Sequence, residues 1–179
     1  GAASFVAHDD IEPTRVWQTE IERALASMDV LVALVTDGFS SSPWTNQEVG
    51  VALGRGVPVV SVRITEDPRG FIGTSQAIAG NGKTASEWAD AVFRSLRGIP
   101  RLSSGLLLGL VRLWESVHNY HDAGRLMILL EAFETIPAPL VTRIERAYLA
   151  NNQLHNAREV NNRYPTFIAR VKASGTGSP

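Results

Sequence analysis

The sequence predicts an α/β domain with a parallel sheet over residues 1–98, an all-α helical bundle over 99–172 and a flexible tail over 173–179. Three observations carry this. Strand-like and helix-like patterns alternate through the front half, as in βα units that build a parallel sheet. The apolar run over 29–36 is rich in β-branched residues and lacks polar alternation, as expected of a strand covered on both faces. From Leu102 onward apolar residues recur at helical spacing, with no convincing strand.

The first strand is expected at 4–7, followed by a helix over 14–26. Trp17, Ile21 and Leu25 fall at four-residue steps there and make an ordinary buried stripe. Asp29-Val30-Leu31-Val32-Ala33-Leu34-Val35-Thr36 is the next strand, ended by Asp37-Gly38. Ser42-Pro43 then reads as N-cap and first helical residue, because the hydroxyl accepts an orphan amide and proline has no donor to leave unpaired. A helix starting at Pro43 puts Trp44 and Glu48 on one face. Val49, Ala52 and Leu53 fall on another that should meet the sheet, and Gly54 and Gly56 stop the helix. A strand over 58–64 follows, then a glycine-rich loop with a short edge strand near 76–79. A helix over 85–96, with Trp88, Val92, Phe93 and Leu96 inward, closes the domain.

In the back half a helix over 106–117 is apolar nearly all round and is expected to be central. A second over 126–133 is similar, and Pro137-Ala138-Pro139 separates it from a helix carrying Leu140, Ile144, Ala147 and Tyr148. The last helix is expected from about Leu154, with a break at Pro165. The ending Ala173-Ser174-Gly175-Thr176-Gly177-Ser178-Pro179 has linker composition.

At 179 residues and 44% apolar, the chain can bury one large or two small cores. A net charge of −1 argues against broad electrostatic binding to nucleic acid or anionic lipid. With no cysteine, disulfides, thiolate nucleophiles and zinc-thiolate sites are excluded, which suits the cytoplasmic location expected here. No basic and apolar leader pattern is read at the start, and the apolar runs are too short to span a bilayer. Neither nucleic acid nor membrane is therefore expected as a direct partner.

Open parallel sheets bind ligands outside the carboxyl ends of their strands. His8-Asp9-Asp10, Thr36-Asp37 and Arg63 to Asp67 follow strand ends, and Glu48 lies in the helix leaving the second of these. The polar residues thus converge on one edge, the expected cleft. Taken alone, Glu48 reads as a solvated helix carboxylate, Ser42 as a cap, Trp44 as either a stacking platform or a lid, and Arg63 and Arg69 as anion ligands or surface charges. Gly82-Lys83-Thr84 resembles the end of a phosphate-binding loop, but its required first glycine falls at Ala77. Glu115, His118 and His121 have helical spacing without a metalloprotease pattern, so no metal site is expected.

The string from Phe39 through Ser42 and Trp44 to Glu48 resembles the corresponding segment of TIR (Toll/interleukin-1 receptor) domains. Ser4-Phe5-Val6-Ala7-His8-Asp9-Asp10 is similar to the family's first strand and following loop. Gly56-Val57-Pro58-Val59-Val60-Ser61-Val62-Arg63, with Asp67-Pro68-Arg69-Gly70-Phe71-Ile72-Gly73 and Gln76-Ala77, is similar to a later strand and glycine-rich loop of bacterial members. The resemblance covers residues 4 to 80 and does not extend to the helical half. It implies a flavodoxin-like parallel sheet. The sheet is expected to be shortened, because 12–28 leaves room for one helix and not for the second strand and following loop of fuller members.

In the NAD-cleaving members this glutamate is catalytic, so the resemblance implies Glu48 in that role, with NAD+ as substrate and no cofactor. It also implies that Phe5, His8, Asp9 and Asp10 line the nicotinamide side; from their own chemistry and position, Ser42, Trp44 and Arg63 are expected to complete the substrate-binding set. The partners implied are further copies of the chain, in an oligomer or filament through TIR contacts, and a protein of an anti-phage defence system.

The chemistry agrees with a lone acid. Ordinary glycoside hydrolysis uses two carboxyl groups because the leaving oxygen must be protonated. Nicotinamide leaves a cationic glycoside as a neutral molecule and needs no acid. Two other readings compete: a non-catalytic TIR adaptor, and an enzyme like the nucleoside deoxyribosyltransferases, which share a run similar to Glu48-Val49-Gly50-Val51-Ala52.

Overall fold

Leu31, Ala33 and Val35 alternate inward along a five-residue strand, and this alternation organises the sheet. The computed structural model describes residues 17–175. The expected strand at 4–7, the loop after it, the start of the first helix and the last four tail residues lie outside the described residues. Helix α1 (Trp17–Ser27) precedes strand β1 (Leu31–Val35), with Ile21 and Leu25 half-buried along one side. Helix α2 (Pro43–Gly54) then crosses to β2 (Val59–Arg63), and β3 (Ile78–Ala79) follows. The order is β1-β2-β3, all parallel, with Leu31 opposite Val59, Val35 opposite Arg63, and Val62 opposite Ile78. Helix α3 (Ala85–Arg97) packs on β2 and β3. With the helices that follow, this is the α/β sheet plus helical region expected from the sequence.

Two expectations are corrected in this half. Among the described residues, strand β1 is well covered on one face: Ala33 and Val35 are buried with Val49 of α2 and Ile72, whereas Val32 is 36% and Leu34 48% exposed. Coverage depends on which helices reach the strand. Helix α2 lies over the Ala33 side and α3 packs on the neighbouring strands, so β2, with Ser61 and Val62 both buried, is the strand enclosed on two faces. Leu53, expected against the sheet, is 40% exposed while Val49 and Ala52 are buried. At about 100° per residue, Leu53 is rotated past the edge of a face centred between Val49 and Ala52.

The loop between β2 and β3 holds a 3₁₀ turn (Gly70–Thr74) that buries Ile72. Thr84 caps α3 in a reciprocal box with Glu87, so the Gly82-Lys83-Thr84 run serves as a helix entry. Trp88 Nε1 donates to the Gly80 carbonyl at 2.8 Å and locks α3 to the end of β3.

The chain divides into two compact units between Leu102 and Ser103. Helix α4 (Pro100–Glu115) begins at proline, six residues before the expected start. It is followed by α5 (Tyr120–Glu131), α6 (Ala138–Ala150), the short α7 (Asn152–His155) and α8 (Arg158–Gly175). Trp114 is fully buried and donates from Nε1 to the Ile144 carbonyl at 3.1 Å. Tyr164 stacks on it, and on Tyr148 at 3.8 Å between centroids. Asn119 caps α5, and Arg170 donates to the carbonyls of Glu131 and Phe133 at that helix's far end.

The expected break at Pro165 is absent: α8 runs through it, and the interruption falls between His155 and Arg158. Proline removes the amide donor to the carbonyl four residues back. Here that residue, Asn161, is exposed like Pro165 itself, so water can satisfy the freed oxygen. The helix also continues to Gly175, so the first residues of the expected tail are helical.

Candidate functional site

Glycine at 38 shapes the entry to the site. Its φ of +83° lies in the left-handed region, turning the chain after β1 so that its carbonyl accepts the amides of Ser41 and Ser42 at 3.2 and 3.1 Å. Ser42 then caps α2, its hydroxyl accepting from the Thr45 amide at 3.4 Å. Thr45 Oγ1 donates back to the carbonyls of Phe39 at 2.5 Å and Ser42 at 3.1 Å. Asn46 Nδ2 donates to those of Ser40 and Ser42, each at 3.0 Å. The first turn of α2 is thereby tied to the loop that delivers it, at the carboxyl end of β1.

Trp44 and Glu48 project from one flank of this helix, a turn apart. The indole is 49% exposed. The Glu48 side chain is half-buried and has neither a hydrogen bond nor an ion pair among the described residues. Desolvation by burial is what pushes its carboxyl above the ordinary value of 4.5. The carboxylate is partly shielded from water while its oxygens stay within reach of solvent, so they are open to donors that a ligand brings.

The opposite flank is different. Asn46 is turned about 160° from Glu48 around the axis and faces a groove of about 330 Å³ lined by Ser40, Ser41, Asn46, Glu66, Arg69 and Gly70. There the Ser40 hydroxyl, with the Ser40 and Gly38 amides and Arg69, holds Glu66 below the usual carboxylate range. The Val35 carbonyl accepts the amides of Ile64 and Thr65 at 3.0 and 3.3 Å and approaches that of Glu66 at 3.5 Å, joining the loops after β1 and β2.

The structure thus brings together Ser42, Trp44 and Glu48 on the opening turns of α2. Arg63 ends β2 opposite Val35, at the same sheet edge, but its guanidinium pairs with Asp67 at 2.9 Å. Phe5, His8, Asp9 and Asp10 lie outside the described residues. Thr45, Asn46 and Glu66 were not singled out from the sequence. For the first two a signal existed, since short polar side chains in a first helical turn bond nearby backbone. Glu66 had none, because only the pairing of β1 with β2 brings it to the Ser40 loop.

This arrangement, a parallel sheet with a capped helix presenting an aromatic and a carboxylate at its carboxyl edge, accompanies a match of the TIR domain family profile to residues 1–97. The chain belongs to the TIR domain family. The match covers the α/β part and stops before the helical unit of this TIR protein. No curated protein and no solved structure matches the chain closely enough to be counted as similar. Among the described residues, no helix of the TIR protein is long and apolar enough to cross a membrane. None of its His, Asp or Glu side chains there gather in threes to hold a metal; Glu115 instead meets Arg143, 2.7 Å from Nε and 2.5 Å from Nη2.

Proposed function

We propose that this TIR domain cleaves the bond between nicotinamide and ribose in NAD+, with Glu48 as the catalytic residue. The observation that carries the reading is the half-buried Glu48 carboxylate, unpartnered among the described residues and one turn from Trp44. Its oxygens accept hydrogen bonds from the ribose hydroxyls, and its charge lies beside the anomeric carbon. As the C1′–N bond breaks, its electron pair passes to the pyridinium nitrogen and neutral nicotinamide leaves. Positive charge then grows on the ribose. A carboxylate at ~4 Å stabilises it by about 4 kcal/mol at an effective dielectric near 20, which is roughly a thousandfold in rate. Water captures the oxocarbenium in hydrolysis, and an adenine nitrogen captures it in cyclisation. Trp44 packs on the nicotinamide or the sugar, with Ser42, Arg63 and the segment carrying Phe5, His8, Asp9 and Asp10 completing the pocket.

Such an activity depletes NAD+ or makes a signal nucleotide, and fits an anti-phage effector controlled by self-assembly of TIR domains with a defence partner. Purified protein incubated with NAD+ at several protein concentrations, with products resolved by chromatography, tests it. Nicotinamide release that rises more steeply than protein concentration supports an assembly-controlled enzyme. Absence of release at every concentration, with partner binding that survives Glu48→Gln, supports an adaptor instead. Turnover of free nucleosides rather than NAD+ points to the deoxyribosyltransferase-like alternative.

A further inference from the structure

We propose that Asn46 is a positioning residue for Glu48, acting through a clamp between the β1–α2 loop and the first turn of α2; this rests on the catalytic reading of Glu48. Its two amide hydrogens meet two loop carbonyls, those of Ser40 and Ser42, each at 3.0 Å. The carboxamide's donor capacity is thereby used in full. Thr45 grips the same loop from the preceding position through Phe39 and Ser42. The single Thr45 hydroxyl hydrogen, shared between the Phe39 and Ser42 carbonyls, and the two Asn46 amide hydrogens tie the capping turn of α2 to the loop at Phe39 and Ser40.

The loop is itself anchored to the sheet. The Val35 carbonyl gathers the amides that follow β2, and Glu66 from that same segment lines the groove with Ser40 and Asn46. Ser40 thus lies between the loop after β2 and the first turn of α2, with its carbonyl held by Asn46. Glu48 needs this because no bond among the described residues fixes its own carboxylate. Its aim comes from the rotation of the helix, and a displacement of about 1 Å at a reacting centre can cost on the order of a hundredfold in rate. Asn46 is exposed and lies on the flank away from Glu48, so replacing it removes the clamp without opening the core.

The test uses the full chain with Asn46→Ala, which deletes the donors, and Asn46→Asp, which keeps the shape and offers only acceptors. Nicotinamide release gives kcat and KM for each, amide hydrogen exchange reports on 38–46, and a melt confirms folding. The expected result is a fall in kcat of about ten- to a hundredfold in both variants, with KM nearly unchanged and faster exchange over 38–46. Unchanged kcat in the two folded variants overturns the proposal. So does a rise in KM with kcat kept, which would make Asn46 a substrate contact, or a lower kcat with exchange over 38–46 unaltered. Failure of the wild-type protein to release nicotinamide is a separate outcome: it removes the catalytic reading of Glu48 and Asn46's role with it, while the exchange data still decide whether the clamp exists.

Discussion

Trp44 and Glu48 stand one turn apart on the same flank of α2, the indole 49% exposed and the carboxylate half-buried with no partner among the described residues. A flat apolar surface beside a partly shielded acceptor suits a planar base joined to a sugar diol. Stacking of a base on an aromatic side chain is worth about 1–3 kcal/mol by alanine substitution. Trp44→Ala is therefore expected to raise KM for NAD+ by roughly tenfold or more while Trp44→Phe stays near wild type. Steady-state kinetics of the pair check it, and a lid without substrate contact would leave both values of KM alike.

Burial raises the Glu48 pKa, and the sign of its effect follows. Folded protein holds this proton more tightly than unfolded protein, so the group's stabilising contribution is present below the ordinary value of 4.5 and is lost as pH rises through the folded-state value. At neutral pH the charged side chain costs stability. Glu48→Gln is expected to melt at a higher temperature than wild type at pH 7, with the difference shrinking on acidification below 4.5. The proposed NAD+ cleavage, which calls for ionised Glu48, should have its acid limb displaced upward from that of an ordinary glutamate. Melts and kcat/KM measured across the acid range test both.

Glu66 has the opposite sign. The Ser40 hydroxyl leads the donors that lower its pKa, so its contribution is present above the ordinary value of 4.5 and is lost as pH falls through the folded-state value. Glu66→Gln is expected to loosen the 38–46 loop at neutral pH, and acid should do the same to wild type. Hydrogen exchange of those amides at two pH values checks this; equal protection in wild type and variant at neutral pH would contradict it.

Much of this site was legible from local chemistry. Ser42-Pro43 announced the start of α2 because cap and first-turn preferences act within four residues, and four-residue spacing then placed Trp44 with Glu48. What depended on distant chain was not legible. The open face of β1 at Val32 and Leu34 is decided by where α3 packs, and the continuity of α8 through Pro165 by the exposure of Asn161. The Asn46 clamp was half visible. Its donor lies in a first turn where such bonds are common, but the approach of Glu66 to the Ser40 loop needs the β1–β2 pairing.

Gly80 sits where the sheet meets α3. A methyl added there would lie 2.8 Å from the Arg63 carbonyl oxygen and 2.9 Å from Val62 Cγ1. The Gly80 amide also donates to that Arg63 carbonyl at 2.7 Å, so the backbone cannot simply retreat. Gly80→Ala is expected to destabilise the protein by about 1–3 kcal/mol through overpacking. Denaturant titration followed by tryptophan fluorescence measures it, and an unchanged midpoint would show that the β3–α3 junction yields.

The central claim is that one carboxylate, at position 48, carries the cleavage of a bond whose departing base takes no proton. The most direct measurement is the rate of nicotinamide release from NAD+ by wild-type protein and by Glu48→Gln at equal concentration, with folding of both confirmed by melting. A loss of roughly a thousandfold in the variant is predicted from the charge stabilisation removed. Equal rates in the two proteins would contradict the account.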